Sequence, residues 1–409
     1  MAAAVVSRLR LANPDLDLVG FGGPALSACG LKPLMEMKRT AVNGLWDVLK
    51  HGPLLLRLLR LAKGSLRSMH PDLVLLVDYP GLNLRLAPLA RKLGYPVCYL
   101  APPQTWAYRD AGRRFKRVLY ALSGCMVHVL FPFEKKRFDD EIISSRGEIL
   151  KPQSVTVGHF FVLKDDGAKA KAKASEDENE KEKRDASMES KKILTLCPGS
   201  RLSVIKRNLP IWLANLETWK KSGLPQARLE REKIQLQILV PIHLESEMQS
   251  WLRRFQQGRF LSSVQFRVDK ERALTDTSWA VAFPGTLTLE LALRRIPTLS
   301  LALVDPLTLF VGSHVLASRR LALPNLLLQR DIFPEWVGTV NQFTFEKFDL
   351  LLESLFRWNH PWEGVVDELE NKIGHGDGAK ILAAECQKVL NFSARPTKNP
   401  GKVKLLPTL

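Results

Sequence analysis

The stretch LCPGSRLSVIKRN, residues 196–208, decides how the second half of the chain is interpreted. The apolar run that leads into it, ILTLC at 193–197, is typical of a buried β-strand, and a helical pattern follows the small residues PGS. A glycine turn between a strand and a helix presents backbone N–H groups at the helix N-terminus, where anions bind favourably. Arg201 would add a guanidinium to such a site. An ordinary connecting turn has the same composition, so the motif alone is a weak signal.

Apolar, strand-like runs alternate with helical patterns on both sides of this stretch. In the first half the strand-like runs are LDLVGFGG, DLVLLVD, PVCYLAPP and CMVHVLFPF, and in the second they are ILTLC, LQILVPI, VQFRV, WAVAF and PTLSLAL. This alternation predicts an α/β fold with a parallel sheet in each half. Two Rossmann-like domains of this kind would face a cleft and bind ligands at the carboxyl ends of their strands.

A low-complexity segment separates the two halves. Residues 166–192 contain one large apolar side chain, Met188, and many charges. Such a composition cannot build a core and predicts a disordered linker. The predicted domains are therefore residues 1–165 and residues 193–393, the second with closing C-terminal helices. Residues 394–409 are predicted to form a poorly structured basic tail.

The charge balance narrows the classes of partner. The chain of 409 residues carries a formal net charge of +18, which favours anionic partners. No RNA- or DNA-binding motif accompanies that charge, so nucleic acid is not an expected partner. The 5 cysteines form no CxxC pair, which argues against structural zinc. No apolar run reaches the roughly 18 residues of a transmembrane helix.

Polar side chains follow three strand-like runs of the first half. Asp78 directly follows LVLLV, where a partly desolvated carboxylate suits a general base acting on a sugar hydroxyl. A helix cap is an equally reasonable role for it. The loop after CYL has residues suited to stacking on a sugar, namely Gln104, Trp106, Tyr108 and Arg109, although a packed loop is the simpler interpretation. His159, which follows SVTV, is assigned with this loop to the acceptor side, although a lone histidine is more often structural than catalytic.

A second glycine turn occurs in the second half. Phe283-Pro284-Gly285-Thr286 follows WAVAF, and Glu290 lies about one turn into the next helical pattern. Together with Gly199, Ser200 and Arg201, this turn would bracket a diphosphate between two helix N-termini. Glu290 would then accept hydrogen bonds from ribose hydroxyls, although a solvated helix face is the ordinary role for such a residue.

Several motifs, taken in order along the chain, resemble those of the lipid-A-disaccharide synthase family, inverting glycosyltransferases with the GT-B fold. They are GFGGPALSACG, AVNGLWDVLK, HPDLVLLVDYPGLN, YLAPPQTWAYR, VLFPFEKKRF, VGH, LCPGSR, PGTLTLELAL, DPLTLF and LPNLL. One such motif would be weak, but collinear matches over nearly the whole chain are specific.

The resemblance implies a reaction and roles for residues. UDP-2,3-diacylglucosamine would donate its sugar to the 6-hydroxyl of 2,3-diacylglucosamine 1-phosphate, without a metal or other cofactor. Asp78 matches the proposed catalytic aspartate of the family, and Arg201 and Asn325 match residues important for activity. Gly285, Thr286 and Glu290 match the nucleotide-binding segment.

Because the substrates that the resemblance implies are acylated, the protein is expected to act at a membrane surface. The basic Leu/Arg stretch at 54–61 suits an anionic interface, although a core helix with snorkelling arginines has the same pattern. We expect a peripheral membrane protein, on the cytoplasmic face in a bacterium, or in a mitochondrion or plastid in a eukaryote. A homodimer is a further expectation.

The chain also departs from the family pattern. Val204 replaces the glutamate of GSRxxE, Pro284 replaces the serine of SGT, and Gly338 stands where PELLQ has glutamine. The GExSGD loop and the strand before it have no counterpart, so the first sheet is expected to lack a strand and expose an edge. A catalytically impaired homologue that binds UDP-sugar or lipid is the alternative function.

Overall fold

A computed structural model describes residues 1–34, 52–141, 143–145, 148–160, 192–223, 231, 233–255, 264–358, 362, 364–374, 376–393 and 404–408. The chain forms two compact units. Unit 1 contains Met1–Val162, Val315–Ala317 and Glu370–Leu409, and unit 2 contains Leu163–His314 and Ser318–Leu369. The predicted linker 166–192 lies, apart from Lys192, outside the described residues.

The strands alternate with helices along both units, as the apolar pattern predicts. The strands are β1 (Asp17–Gly20), β2 (Lys32–Pro33), β3 (Leu73–Val77), β4 (Val97–Leu100), β5 (Met126–Val129), β6 (Ile143–Ser145), β7 (Glu148–Leu150), β8 (Ser154–Val157), β9 (Ile193–Cys197), β10 (Gln235–Leu239), β11 (Gln265–Arg267), β12 (Trp279–Ala282), β13 (Thr298–Leu303), β14 (Glu335–Gly338) and β15 (Lys404–Thr408). The α-helices are α1 (Ala2–Ala12), α2 (Pro24–Ala28), α3 (Gly52–Met69), α4 (Pro80–Lys92), α5 (Ala111–Leu122), α6 (Pro132–Asp140), α7 (Leu202–Lys221), α8 (Glu245–Phe255), α9 (Lys270–Thr275), α10 (Thr286–Leu293), α11 (Pro306–Val315), α12 (Leu323–Leu328), α13 (Phe345–Phe356), α14 (Val365–Ile373) and α15 (Gly378–Ser393).

Unit 1 is built on a parallel sheet with the strand order β2-β1-β15-β3-β4-β5-β8. All five residues of β3 are buried, because helices cover both faces of such a sheet and leave no polar side. The buried face of α3 contributes Leu58, Ala62 and Leu66 to this core. The apolar pattern thus predicts the sheet correctly, and it places the exits of β3, β4 and β5 side by side.

The expected open edge in the sheet of unit 1 is not found. Instead β15, from the predicted basic tail, lies between β1 and β3 and pairs parallel with both. Its register sets Leu405 opposite Leu18 and Leu73, and Thr408 opposite Leu76. Unpaired backbone groups on β1 and β3 favour any extended segment that can reach them, which explains why the tail forms a strand.

Unit 2 is built on a second parallel sheet, with the order β11-β10-β9-β12-β13-β14. Its buried strands pack against Trp212 of α7 and Phe348 of α13. The strand at the centre, β9, pairs with β12 so that Cys197 lies opposite Ala282. The two predicted glycine turns therefore follow neighbouring strands at the same edge of the sheet.

The C-terminal helices differ from the predicted boundaries in that Glu370–Leu409 groups with unit 1. The start of α15 approaches β8 closely: the backbone N–H of Gly378 donates to the carbonyl of His159 at 3.1 Å. A side chain at Gly378 would collide with the backbone of Gly158. Further along, the side chains of Asn13 and Gln387 are hydrogen-bonded at 2.5 Å. Within the described ranges, no helix combines the length and hydropathy that crossing a bilayer requires.

Candidate functional site

The first glycine turn of unit 2 connects β9 to α7 through a backbone conformation that favours glycine. Gly199 has a φ of 108°, in the region that side-chain-bearing residues rarely adopt. A Cβ at this position would lie 3.3 Å from Cγ1 of Val204, the residue that replaces the family's glutamate. Ser200 and Arg201 are exposed at the start of the 20-residue α7, and the side chain of Arg201 makes no capping hydrogen bond to this helix. The helix therefore presents backbone N–H groups beside a guanidinium.

The second glycine turn lies beside the first. The backbone N–H of Phe283 donates to the carbonyl of Cys197 at 2.9 Å, so the exits of β12 and β9 are joined directly. Gly285 precedes α10, whose N-terminus has no side-chain cap, and a Cβ at Gly285 would meet nothing within 4 Å. The turn thus leaves open space in front of exposed Thr286 and the first N–H groups of α10.

Together the two turns form a site suited to an anion. Two helices begin just after neighbouring strands. The N-terminus of each contributes a partial positive charge and the backbone N–H donors of its first turn. The guanidinium of Arg201 adds a full charge on the exposed side. This geometry can hold a phosphate or diphosphate group.

Glu290 is less available than the sequence suggests. Its carboxylate, on α10, accepts hydrogen bonds from Nζ of Lys270 at 2.9 Å and from Nη2 of Arg294 at 3.1 Å. Arg294 also contacts Glu271. A ribose hydroxyl would have to share this carboxylate with two cations. The role of Glu290 in binding a ribose stays a prediction.

Asn325 is buried and fully engaged by its own chain. Its Nδ2 donates to the carbonyl of Phe333 and to Oε2 of Glu335, and its Oδ1 accepts from the N–H groups of Ile332 and Phe333. Both donors and both acceptor positions of the amide are therefore occupied. In this arrangement Asn325 holds the turn after α12, and a direct contact with substrate would break that network.

Glu335 fixes the start of α12, a role that the sequence alone does not indicate. It accepts from the backbone N–H groups of Leu321 and Ala322, at 2.6 and 3.0 Å, and burial raises the pKa of its carboxyl. The next N–H, of Leu323, donates to Oγ1 of Thr288 on α10 at 3.1 Å. The start of α12 is thereby fixed to the helix that begins at the second glycine turn.

Asp78 stands at the exit of β3 in an unusual backbone conformation. Asp78 and Tyr79 both have positive φ, 46° and 41°, which is rare for residues other than glycine. The carbonyl of Asp78 accepts from Nδ2 of Asn83 at 2.9 Å and from the hydroxyl of Tyr99 at 2.7 Å. Asp78 itself is exposed, so the expected partial desolvation is wrong: the turn places this residue beyond the last buried residue of the strand.

The predicted acceptor loop is ordered by helix α6. It contains a short 3-10 helix, Thr105–Ala107, and Nε1 of Trp106 donates to Oε1 of Glu134 at 2.8 Å. Glu134 also accepts from the backbone N–H groups of Leu130 and Phe131. Burial nevertheless raises the pKa of Glu134 to about 7, outweighing these hydrogen bonds. Glu134 lies in the motif VLFPFEKKRF, but the sequence does not indicate its contact with Trp106, which lies 28 residues earlier.

The other residues of this loop have definite positions. Gln104 is half-buried. The ring of Tyr108 lies under the guanidinium of Arg114, with 4.2 Å between the ring centroid and Cζ. Nε of Arg109 donates to the carbonyl of Leu316 at 3.0 Å, within unit 1. The loop is therefore a fixed surface that combines aromatic and cationic side chains.

His159 lies in the packed interior of unit 1. Its ring is 5.6 Å from the ring of Phe131, and burial lowers the pKa of its imidazole to about 4. A neutral, buried ring fits the structural interpretation better than a catalytic one. Its predicted place beside the acceptor stays a prediction.

The part of the chain that the structure describes contains no group of three His, Cys, Asp or Glu side chains arranged to hold a metal ion. The residues at the two glycine turns are N–H donors and a cation, which bind anions and not metals. That the reaction proceeds without a metal remains a prediction.

Two parallel-sheet units of Rossmann type are the architecture of the GT-B glycosyltransferases. The solved S. aureus MnaA–UDP co-structure shares this fold, with a TM-score of 0.51 and 12% identity over 98% of this chain and 95% of that chain. The family model for Lipid-A-disaccharide synthetase matches residues 1–357.

Curated relatives agree with the family model. The lipid-A-disaccharide synthase of Myxococcus xanthus (strain DK1622) is 29% identical over 389 residues, covering 94% of this chain and 92% of the relative. That of Nitrosococcus oceani is 28% identical over 384 residues, covering 92% and 89%. The chain belongs to the lipid-A-disaccharide synthase family and is a glycosyltransferase of lipid A biosynthesis.

Proposed function

We propose that this enzyme transfers 2,3-diacylglucosamine from UDP to the 6-hydroxyl of 2,3-diacylglucosamine 1-phosphate. The acceptor oxygen forms a bond to C1 of the donor sugar, the bond from C1 to the diphosphate breaks, and UDP leaves with the electron pair. The proton of the hydroxyl passes to a base. One such displacement inverts the configuration at C1 and gives a β-1,6 disaccharide phosphate.

The observation that carries this proposal is the pair of neighbouring glycine turns at the exits of β9 and β12. Gly199, Arg201 and Gly285 would form the site for the diphosphate of a sugar nucleotide. Charge that develops on the leaving diphosphate would be stabilised by helix N-termini and a guanidinium already in place. We assign Arg201, Ser200 and Thr286 to the UDP site, and Gly199 and Gly285 to the backbone geometry that opens it.

Asp78 is the proposed base. A carboxylate outside a strand exit, on a backbone fixed by buried hydrogen bonds, can receive a proton from a sugar hydroxyl without moving. The aromatic and cationic loop Gln104–Arg109 would hold the acceptor sugar and its phosphate. Asn325 and Glu290 act in this scheme through the positions of α12 and α10.

A basic face of unit 1 suits the surface where acylated substrates reside. Helices α3, α4 and α5 pack side by side and contain no acidic residue. Their exposed cations are Arg57, Arg60, Arg67, Arg85, Arg91, Lys92, Arg113, Lys116 and Arg117. Leu56 and Tyr120 add exposed apolar area, at 55% and 64% exposure. We propose that this face binds anionic membranes peripherally.

Vesicle co-sedimentation tests the membrane proposal. The full chain should bind anionic vesicles and dissociate at high salt, because exposed charges are screened beyond about 8 Å at physiological ionic strength. Equal binding to neutral and anionic vesicles, unaffected by salt, would remove the electrostatic contribution. Salt-sensitive binding to RNA in place of vesicles would favour nucleic acid instead.

The reaction is tested by incubating the full chain with both acylated substrates and measuring UDP release and disaccharide formation, with and without EDTA. The proposal expects both products in equal amounts and no effect of EDTA. UDP binding without product would favour the alternative, a catalytically impaired homologue, to which the replacements Val204, Pro284 and Gly338 would then be assigned. Product formation with non-acylated acceptors at equal rates would contradict the substrate class.

A further inference from the structure

The turn that carries Asp78 is held in place by two polar side chains that are completely buried. Tyr99 on β4 and Asn83 on α4 are both 0% exposed. The hydroxyl of Tyr99 donates to the carbonyl of Asp78 at 2.7 Å. Nδ2 of Asn83 donates to the carbonyls of Val77 and Asp78, at 3.1 and 2.9 Å. Burying polar groups costs free energy unless they are hydrogen-bonded. The hydroxyl of Tyr99 and the amide of Asn83 find their partners in this turn, and their hydrogen bonds stabilise it.

The backbone of this turn is strained. Asp78 and Tyr79 are consecutive residues in the left-handed region, with φ values of 46° and 41°. Glycine adopts this region without steric cost, whereas a residue with a Cβ does not. The chain has a carboxylate at position 78 despite that cost, as expected if the side chain acts there. Strain of this kind persists only where surrounding contacts over-determine the conformation.

The two sides of the turn are fixed by different contacts. The N–H of Asp78 donates to the carbonyl of Leu100 at 2.9 Å, as a continuation of the pairing between β3 and β4. The carbonyl of Tyr79 accepts from the N–H groups of Leu82 and Asn83, which begin α4. Between these two attachments, the carbonyl of Asp78 is the group that the buried hydroxyl and amide hold.

We infer that Tyr99 and Asn83 are positioning residues for Asp78: they hold its carbonyl inside the sheet and thereby keep its carboxylate outside. This inference rests on the proposed role of Asp78 as the base. Burial, and then the charge of Asp78, raise the pKa of Tyr99, so its hydroxyl stays a donor throughout the working pH range. Neither residue contacts substrate in this account, and neither transfers a proton.

The test compares Tyr99→Phe with a matched control. Thr298→Val also removes one buried hydroxyl that donates to a backbone carbonyl, that of Ile296 at 2.9 Å, but at the opposite end of a strand in unit 2. Both variants should lose similar stability. Tyr99→Phe alone should lower kcat roughly 10- to 100-fold, with KM for both substrates unchanged, because a displaced base affects the chemical step.

A double-mutant cycle separates positioning from general destabilisation. In an Asp78→Asn background, Tyr99→Phe should cause no further loss of kcat, since no base remains to be positioned. The same loss in both backgrounds would overturn the inference, as would equal kcat values in Tyr99→Phe and Thr298→Val. Asn83→Leu provides a second variant of similar volume if Tyr99→Phe does not fold.

Amide hydrogen exchange decides the inference even if the chain makes no disaccharide and the proposed function fails. Tyr99→Phe should accelerate exchange of the N–H groups of Asp78, Leu82 and Asn83 by roughly tenfold or more relative to Thr298→Val, because the turn opens more often. Unchanged exchange at these amides would show that Tyr99 does not hold the turn.

Discussion

The residues that follow the strands differ between the two units in type and in backbone conformation. In unit 1 the exits of β3 and β4 place non-glycine residues, Asp78 and Ala101, in the left-handed region. In unit 2 the exits of β9 and β12 are glycine turns, Gly199 and Gly285, followed by helices whose N-termini have no side-chain cap. The first arrangement retains side chains despite strain, and the second removes side chains to expose backbone.

This difference indicates which groups of each unit would act in the reaction: side chains in unit 1 and backbone N–H groups in unit 2. A strained residue such as Asp78 fits a position where the side chain itself acts, here as the proposed base. A glycine turn before an uncapped helix is retained where the backbone itself must bind an anion. In the proposed function, unit 1 would therefore supply side chains that act on the acceptor, and unit 2 would supply N–H groups that hold the nucleotide. Substitutions in the two units should affect different kinetic constants.

The largest expected effect belongs to Asp78. Asp78→Asn should lower kcat by roughly 10²–10⁴, because a positioned base contributes about this much, while the Kd for UDP should not change. Asp15→Asn is the control, since Asp15 is also exposed but lies before β1, at the opposite edge of the sheet. Steady-state kinetics and calorimetry measure the two quantities. An Asn variant with full activity would exclude Asp78 as the base.

A smaller effect on nucleotide binding is expected at Gly199. Gly199→Ala strains a φ of 108° and presses on Val204, so UDP affinity should fall roughly 10-fold as the turn shifts. Gly94→Ala is matched to it: φ is 85° there, and a Cβ would meet nothing within 4 Å. Both variants should lose stability, on the order of 1 kcal/mol. If Gly94→Ala weakened UDP binding equally, the turn would not be the nucleotide site.

The pH dependence of stability tests how unit 1 fixes its acceptor loop. The pKa of Glu134 rises from 4.5 to about 7 in the folded protein, through burial. Its contribution to stability is therefore fully present below pH 4.5 and is lost as pH rises through about 7. Relative to Glu134→Gln, the free energy of unfolding should decline by on the order of 3 kcal/mol across that range. Urea unfolding at several pH values measures it. A difference that grows with pH would mean that the hydrogen bonds from Trp106 and the backbone outweigh burial.

The smallest effect concerns the strand that completes the sheet beside β3. Pro407 lies in β15 opposite Leu75 of β3, where proline cannot donate a hydrogen bond to the ladder. Pro407→Val should raise the free energy of unfolding by about 1 kcal/mol, because the new N–H gains a partner. Pro14→Val, in the exposed turn before β1, should have no such effect. Destabilisation by Pro407→Val would contradict the position of β15.

The sequence predicts the repeating part of the fold and the exits of its strands. Apolar runs such as LVLLV and ILTLC locate β3 and β9, and with them Asp78 and Gly199, because burial on both faces leaves an unmistakable pattern. The position of β15 could not be predicted from the sequence. It depends on unpaired backbone groups of β1 and β3, which lie more than 300 positions earlier in the chain.

The contacts that support the sites were also beyond prediction. Tyr99, Glu134 and Glu335 each have a hydrogen-bond partner that is ten or more residues away in sequence, and the sequence alone does not indicate that pairing. Asn325 was predicted as a binding residue from its motif, yet its amide is occupied by its own turn. A motif can identify a residue as a candidate for the site, whereas the hydrogen bonds in the structure show which groups that residue contacts.

The division of labour between the units is tested most directly by amide hydrogen exchange on the full chain with and without UDP. UDP alone should protect the N–H groups that follow Gly199 and Gly285, at the starts of α7 and α10, and leave exchange at 78–83 and 101–108 unchanged. Protection that required Mg²⁺, or that appeared at Asp78 and not at the two glycine turns, would contradict the account.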